Sequence, residues 1–226
     1  MSLLSSARIV DDAHSRASMI RTMSLLLIRH GETALNVARV LQPADTPLSA
    51  RGVEQAGALA RRLAALNVVA IVSSDLPRAR STAEAIAAAT GARIETTALL
   101  QERNFGDWRG RPYDGVATDP LTMSQAPPGG ESAAEFAQRV ALAFADIVQR
   151  RAALHGNLAV VTHGLVLRAM LAAHVRLPAG MAQPTHLGNT SLSIVGAQPP
   201  HLATRVDCTQ HLEPGLGDDA HALSGG

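Results

Sequence analysis

The hydrophobic positions of the chain fall into two patterns that alternate along it. The first pattern is a short run that is either almost wholly apolar or alternates between apolar and polar residues. Runs of this length are typical of β-strands, and the continuous ones are typical of strands buried on both faces of a parallel sheet. Six such runs predict four main strands and two edge strands, at residues 24–29, 68–72, 93–97, 158–162, 192–195 and 202–206.

In the second pattern, apolar residues recur every three or four positions, which is the spacing of an amphipathic helix. Ser49 and Ser132 stand where N-terminal caps are expected, and Glu135 completes the signature of a capping box with Ser132. Pro77 lies in a first turn and Gly91 just past a helix end, as helix termini prefer. Four helices are predicted, at residues 49–66, 77–91, 132–155 and 165–175.

Alternating buried strands and amphipathic helices predict an α/β fold, a three-layer α/β/α sandwich with a mostly parallel central sheet. Ligands of such sheets bind at the C-terminal ends of the strands. His30 and Gly31 follow the first predicted strand, and His163 and Gly164 follow the fourth. We therefore expect both histidines at the same edge of the sheet.

The stretch at residues 103–130 shows little periodicity and is rich in Gly, Pro, Asp and Arg. It predicts a long loop, and loops of this length are often functional, for example as the cover of an active site. The chain of 226 residues suits one domain, predicted over residues 23–212. Residues 1–22 are predicted to be a flexible extension, so Met23 is an alternative start. Residues 213–226 are predicted to be a disordered tail.

Composition narrows the classes of function. All 20 basic side chains are arginine, which excludes a Schiff-base lysine and a Walker-type phosphate loop. A formal net charge of +1 and 2% aromatic residues argue against a nucleic-acid partner. Residues 25–28 form the longest apolar run near the N-terminus, which is too short for a membrane helix. The lone Cys208 excludes an internal disulfide, so a reducing, cytoplasmic location is expected.

Two arginines accompany the two histidines. Arg29 immediately precedes His30, and Arg78 follows the end of the second predicted strand, so both guanidinium groups can reach the same sheet edge. Guanidinium groups match phosphate oxygens bidentately and stay charged, so this set predicts a receptor for a phosphoryl group. The other histidines lack the spacing of metal ligands, and neither a metal nor another cofactor is expected.

These residues lie in motifs that resemble those of the histidine phosphatase superfamily, which includes cofactor-dependent phosphoglycerate mutases and many small phosphatases. The resemblance covers roughly residues 24–206, and its motifs occur in the order of the family. They are LLLIRHGET from Leu25, SSDLPRARSTAEAI around Arg78, ERNFGDWRG from Glu102, PPGGES around Glu131 and VVTHG ending at Gly164.

The resemblance implies that His30 is the nucleophile and Glu102 the general acid and base. Glu32 adjoins His30 and is the rival carboxylate, to which the resemblance gives only a supporting role. The phosphate-binding residues implied are Arg29, Arg78, His163 and Asn36. The predicted substrate-binding residues are Thr33, Gln42, Arg103 and Gly164.

The family includes both hydrolases and mutases, and three departures favour hydrolysis. Phe105 stands where the mutase pattern has a tyrosine, the chain has no lysine to bind substrate, and Pro43 follows Gln42 where glycine is common. We therefore expect a metal-independent phosphatase that acts on small phosphorylated metabolites through a phosphohistidine intermediate. The alternatives are phosphoglycerate mutase-type transfer and a non-catalytic phospho-ligand binding protein. The sequence leaves a homodimer open.

Overall fold

A computed structural model describes residues 23–116 and 119–217. Within these residues, six strands form one mixed sheet. In chain order they are β1 (Ser24–Arg29), β2 (Val68–Ser74), β3 (Arg93–Thr97), β4 (Asn157–Thr162), β5 (Leu192–Gly196) and β6 (Ala203–Cys208). Their order across the sheet is β3-β2-β4-β1-β5-β6, with the first four strands parallel and β5 antiparallel to both neighbours. The prediction of an α/β fold with a mostly parallel sheet is confirmed.

The four predicted helices are present, and the chain adds one short helix at the first loop. The helices are α1 (Ala34–Val37), α2 (Ala50–Leu63), α3 (Pro77–Thr90), α4 (Ala133–Ala152) and α5 (Gly164–Ala173). Ser49 and Ser132 cap α2 and α4 as predicted, and Gly91 ends α3 in the left-handed conformation. Both α2 and α4 end three residues before their predicted ends.

Helices cover both faces of the sheet. Because successive residues of β1 point to opposite faces, this strand contributes to two hydrophobic cores. Leu25 and Leu27 belong to a core shared with α4 and α5, whereas Leu26 and Ile28 belong to a second core shared with α2 and α3. Every residue of β1 is therefore buried, which explains its unbroken apolar run.

The strand order determines where a site can form. The C-terminal ends of β1, β4 and β2 are neighbours, because β4 pairs with β1 on one side and with β2 on the other. Residues that follow these three strands therefore meet at one edge, although they are far apart in the sequence. This is the edge at which the sequence predicts both histidines.

Only residues 213–217 of the predicted tail lie within the described residues. Leu216 accepts a hydrogen bond from Gln55 Nε2 at 2.9 Å, and Gly217 accepts one from Arg51, so the start of the predicted tail packs on α2. The predicted extension at 1–22 and the last part of the tail, 218–226, lie outside the described residues. No helix in the described segments is long and apolar enough to cross a membrane.

The first turn of α2 packs directly on the loop that follows β1. A Cβ atom at Gly52 would overlap the carbonyl oxygen of Glu32, and one at Gly31 would overlap the carbonyl oxygen of Gly52. The two glycines therefore permit a backbone contact that no larger residue allows. By contrast, a Cβ at Gly57 in the same helix would have Arg61 as its nearest neighbour, at 3.7 Å.

We expect Gly52→Ala to destabilise the protein by roughly 1–3 kcal/mol, because the added methyl group forces the β1 loop and α2 apart. Gly57→Ala is the matched control in the same helix and should be neutral or stabilising by up to about 1 kcal/mol, since alanine favours helix. Urea unfolding midpoints measure both effects. Equal effects of the two substitutions would contradict the proposed close packing.

Candidate active site

The backbone of His30 is held from three sides at the end of β1. Its N–H donates to the carbonyl oxygen of Thr162 at 2.9 Å. Its own carbonyl oxygen accepts from Thr190 N at 3.2 Å and from Asn189 Nδ2 at 3.0 Å. His30 is fully buried. These hydrogen bonds therefore fix the position of the His30 backbone, from which the side chain extends.

The hydrogen bond of the His30 ring indicates its tautomer. Nδ1 lies 2.7 Å from the carbonyl oxygen of Gly31, and because a carbonyl can only accept, Nδ1 carries the proton. Burial, followed by the charges of Arg78 and Arg29, lowers the pKa of His30 well below 6.5, so the ring is neutral at pH 7. Nε2 then has a free lone pair, and it is buried with no hydrogen-bond partner in residues 23–116 and 119–217.

His163, at the end of β4, faces His30 with 5.0 Å between the ring centroids. Its Nε2 lies 2.9 Å from Ser74 Oγ, a hydroxyl that can donate to it and that also accepts a hydrogen bond from Leu76 N at 3.3 Å. Nδ1 of His163 is buried and has no hydrogen-bond partner within the described part of the chain. Burial, with Arg78 next, lowers the pKa of His163 as well. A neutral ring that accepts from Ser74 presents an Nδ1–H donor.

Arg29 and Arg78 are among the largest fully buried side chains described. Arg29 donates to the carbonyl oxygen of Leu187 at 2.5 Å. Arg78 reaches the carbonyl oxygen of Pro43 at 3.5 Å, its Nε has no partner, and among the described residues no carboxylate lies within ion-pair distance of it. Burial lowers the pKa of Arg78 to about 10, which still leaves it charged at pH 7.

Glu102 stands where β3 leads into the loop, and it is 5% exposed. One carboxylate oxygen accepts from Arg103 N at 2.9 Å, and the other accepts from Leu165 N in the first turn of α5 at 3.1 Å. Burial raises the pKa of Glu102, and these N–H donors together with the charges of Arg78 and Arg139 oppose that rise. The carboxyl group is thus held in one orientation and shifted toward its protonated form.

An ion pair that the sequence does not reveal fixes the loop around Glu102. Arg139 on α4 binds both carboxylate oxygens of Glu131, at 2.9 and 2.8 Å. The same guanidinium donates to the carbonyl oxygens of Leu99 at 2.9 Å and of Gln101 at 2.8 Å. Arg139 therefore joins the residues just before Glu102 to the far end of the loop.

Thr33, Asn36 and Gln42 come together beside His30. Thr33 and Asn36 form a capping box for α1, with hydrogen bonds of 3.0 and 3.1 Å. The Thr33 hydroxyl also donates to Gln42 Oε1 at 2.9 Å. Asn36 Oδ1 accepts from Asn189 at 3.4 Å, while Asn36 Nδ2 is buried with no hydrogen-bond partner in the described residues. Of the three side chains, Asn36 thus has an amide donor available for a ligand.

Arg103 is placed differently from a residue that binds substrate. Its guanidinium donates to backbone carbonyl oxygens of the loop, those of Glu131, Met123 and Gln125, at 3.0 to 3.3 Å. Its side chain therefore holds the loop together. Gly164, the last of the predicted substrate-binding residues, begins α5 directly after His163.

The carboxylate of Glu32 binds the start of α2. Its carboxylate accepts from Ser49 Oγ at 2.8 Å and lies 3.7 Å from Arg51 Nε. Its backbone N–H donates to Gln55 Oε1 at 2.9 Å. Glu32 therefore joins the β1 loop to α2, which fits the supporting role expected of it.

The sequence pattern gives residues 189–191 no role in the site, because a turn is an adequate explanation of them. In the structure, Asn189 and Thr190 bind the carbonyl oxygen of His30. The only local signal is a cluster of polar residues just before an apolar strand. Ser74, which contacts His163, is likewise visible in the sequence only as part of the motif around Arg78.

The buried polar atoms without hydrogen-bond partners indicate which ligand this edge of the sheet can bind. A neutral imidazole presents a lone pair, and buried side-chain nitrogens of Arg78, His163 and Asn36 likewise have no hydrogen-bond partner in the described residues. Such an arrangement suits a compact anion that carries an electrophilic atom. Within the described residues, no group of three or more His, Cys, Asp and Glu could hold a metal ion.

Comparison with known proteins finds relatives that match most of the chain. The probable phosphoglycerate mutase GpmB of Yersinia pestis (strain Pestoides F) is 34% identical over 186 residues, which cover 78% of this chain and 86% of that protein. A mycobacterial glucosyl-3-phosphoglycerate phosphatase superposes with a TM-score of 0.67 at 30% identity, covering 82% of this chain and 97% of the other.

YhfR of Bacillus stearothermophilus superposes with a TM-score of 0.68 at 31% identity, covering 81% of this chain and 95% of the other. The family model of the histidine phosphatase superfamily (branch 1) matches residues 25–206, which include every residue of the site described above. The chain therefore belongs to the histidine phosphatase superfamily.

Proposed function

We propose that the protein is a metal-independent phosphatase that hydrolyses small phosphomonoesters through a phosphohistidine on His30. The observation that carries this proposal is the buried, unpartnered Nε2 of a neutral His30, surrounded by cationic and N–H donors. A phosphoryl group provides both the electrophile for the lone pair and the anion for the donors.

In the first step, the lone pair of His30 Nε2 forms a bond to phosphorus as the bond from phosphorus to the ester oxygen breaks. The electron pair of that bond goes to the leaving oxygen, which takes a proton from the Glu102 carboxyl group. Arg29, Arg78, His163 and Asn36 stabilise the charge on the transferring phosphoryl oxygens. The carbonyl oxygen of Gly31 holds the Nδ1 proton as the ring becomes positively charged.

In the second step, water attacks phosphorus from the side that the alcohol has left. Glu102, now a carboxylate, takes the proton of that water, and the bond from phosphorus to nitrogen breaks. Its electron pair returns to Nε2, and inorganic phosphate leaves. The same carboxyl group serves both steps because the leaving alcohol and the attacking water occupy the same side of phosphorus.

Several features support hydrolysis rather than transfer to a second hydroxyl group. The Arg103 guanidinium is occupied by loop carbonyls and is not available for the carboxylate of a phosphoglycerate. The chain has no lysine, and the side chain of Phe105 has no hydroxyl group. Among the similar structures, the mycobacterial glucosyl-3-phosphoglycerate phosphatase is named as a phosphatase and has also been solved with VO3.

Phosphoglycerate mutase-type transfer is the second candidate, supported by the name of the similar Yersinia pestis protein. It uses the same first step, so the two activities differ only in whether water or a second substrate hydroxyl accepts the phosphoryl group. A non-catalytic phospho-ligand protein is disfavoured, because binding alone has no use for a buried carboxyl group beside an unpartnered imidazole.

The first test measures phosphate release from a panel of small phosphomonoesters with a metal chelator present. We expect release by the wild type and none by His30→Ala. His155→Ala, which removes an exposed histidine, is the matched control and should keep full activity. Absence of release, together with conversion of 3-phosphoglycerate in the presence of its bisphosphate primer, would favour the mutase.

We expect Glu102→Gln to slow alkyl phosphate hydrolysis by about 10²- to 10⁴-fold, because an alkoxide leaves poorly without a proton. With p-nitrophenyl phosphate, whose leaving group needs no acid, the variant should release one equivalent of nitrophenol in a burst and then turn over slowly. Stopped-flow absorbance measures both phases. Glu32→Gln should keep rapid turnover and lose stability instead; loss of turnover in that variant alone would show that the two roles are wrongly assigned.

The tautomer and the lowered pKa of His30 can be observed directly. In ¹⁵N spectra of the ring, assigned by their loss in His30→Ala, Nδ1 should be protonated and Nε2 bare. Because the pKa of His30 lies well below 6.5, this neutral form should persist as the pH falls from 8 to 6.5, and the ring should gain its proton only below that value. A protonation midpoint at or above 6.5, or a proton on Nε2, would contradict the proposed nucleophile.

A further inference from the structure

Tyr113 is the only tyrosine of the chain, and it lies in the loop that covers the site. The residue is 8% exposed, so the phenol ring is packed inside the protein. Its hydroxyl group is buried and has no hydrogen-bond partner in residues 23–116 and 119–217. A buried hydroxyl without a partner costs free energy, so such groups are uncommon unless they serve another purpose.

Backbone hydrogen bonds fix the position of Tyr113 next to the first loop of the site. Its N–H donates to the carbonyl oxygen of Arg39 at 2.9 Å, and Leu41 N donates to the carbonyl oxygen of Arg111 at 2.9 Å. Gly110 N in turn donates to the carbonyl oxygen of Leu41. This short ladder aligns Tyr113 with the segment that leads into Gln42, which binds Thr33 beside His30.

The surroundings of the ring and of the hydroxyl differ. The ring belongs to the same apolar core as Phe105, which follows Glu102 by three residues, and Leu165, whose N–H donates to Glu102. Burial and the negative charge of Glu102 raise the pKa of Tyr113, while the charges of Arg29 and Arg78 act to lower it. The phenol therefore experiences the charges of the catalytic acid and of the phosphate-binding arginines, and its hydroxyl stays protonated at neutral pH.

We propose that Tyr113 is a catalytic residue whose hydroxyl group donates a hydrogen bond to an oxygen of the bound phosphoryl group. This inference rests on the proposed function and adds a donor to the cover side of the pocket. The other donors come from the ends of the strands and from α1 and α3, whereas Tyr113 approaches from the covering loop. The loop thus contributes directly to binding as well as shielding the site.

Tyr113→Phe is the direct test, since it removes only the hydroxyl group. We expect kcat/KM to fall about 10- to 100-fold, the typical effect of losing one hydrogen bond to a charged group. The inhibition constant of inorganic phosphate, used as a competitive inhibitor, should rise by a similar factor. The melting temperature should stay at the wild-type value or increase slightly, because the hydroxyl has no protein partner to lose.

Thr122→Val is the matched control. It removes an exposed hydroxyl of the same loop that binds Asp119, and it should leave kcat/KM and phosphate inhibition unchanged. A fall in kcat/KM without a change in phosphate inhibition would support the contact and confine it to the transition state. Values within twofold of the wild type, or a loss of activity that accompanies a fall in melting temperature, would overturn it.

The His30→Ala variant, assayed in parallel, separates this inference from the function on which it rests. If His30→Ala is inactive and Tyr113→Phe resembles the wild type, only the role of Tyr113 is wrong. If His30→Ala still releases phosphate, the phosphohistidine mechanism is wrong, and a loss in Tyr113→Phe would no longer support a contact to a phosphoryl group on its way to His30.

Discussion

The burial of two guanidinium groups at one edge of a parallel sheet is the constraint around which this site is organised. Removing an ion from water costs several kcal/mol even after the protein relaxes. Arg29 and Arg78 are nevertheless fully buried, and Glu102 is the charged group that most favours the ionised form of Arg78. Buried positive charge of this kind favours an anionic ligand, and together with burial it lowers the pKa of both neighbouring histidines.

The two histidines show that effect most clearly. Burial and the arginine charges keep both rings neutral, and neutrality makes one nitrogen of each ring a donor and the other an acceptor. The carbonyl oxygen of Gly31 and the hydroxyl of Ser74 then select which nitrogen of each ring faces the pocket. One imidazole therefore offers a lone pair and the other an N–H, although they are chemically identical side chains 5.0 Å apart.

Arginine has two different tasks in this lysine-free chain. Arg29 and Arg78 present charge to the pocket, whereas Arg103 and Arg139 bind carbonyl oxygens and Glu131 to hold the covering loop in place. The planar guanidinium, with five donors, suits both tasks because it can bind several oxygens at once. Support of this kind joins the residues just before Glu102 to the far end of the loop.

The sequence by itself determined the fold class, the four main strands and helices, and the meeting of His30 and His163 at one edge. Hydrophobic patterns and helix caps can be recognised within short segments of the sequence. Parallel strands then place their C-terminal ends at one edge of the sheet, whatever their order. The position of Arg78 after the second predicted strand put it at the same edge, and the motifs of the family gave Glu102 its role. The short helix α1 escaped prediction because its four residues are too few to show a periodicity.

Only the tertiary structure decided which polar atoms pair with one another. Asn189 binds the carbonyl oxygen of His30 across 159 positions of sequence, and the side chain of Arg103 turns to the loop rather than to a substrate. The tautomers of the histidines and the unpartnered hydroxyl of Tyr113 depend in the same way on contacts between distant segments. The physical reason is that a hydrogen bond depends on distance and direction between single atoms, and these are set only when the strands and loops have packed.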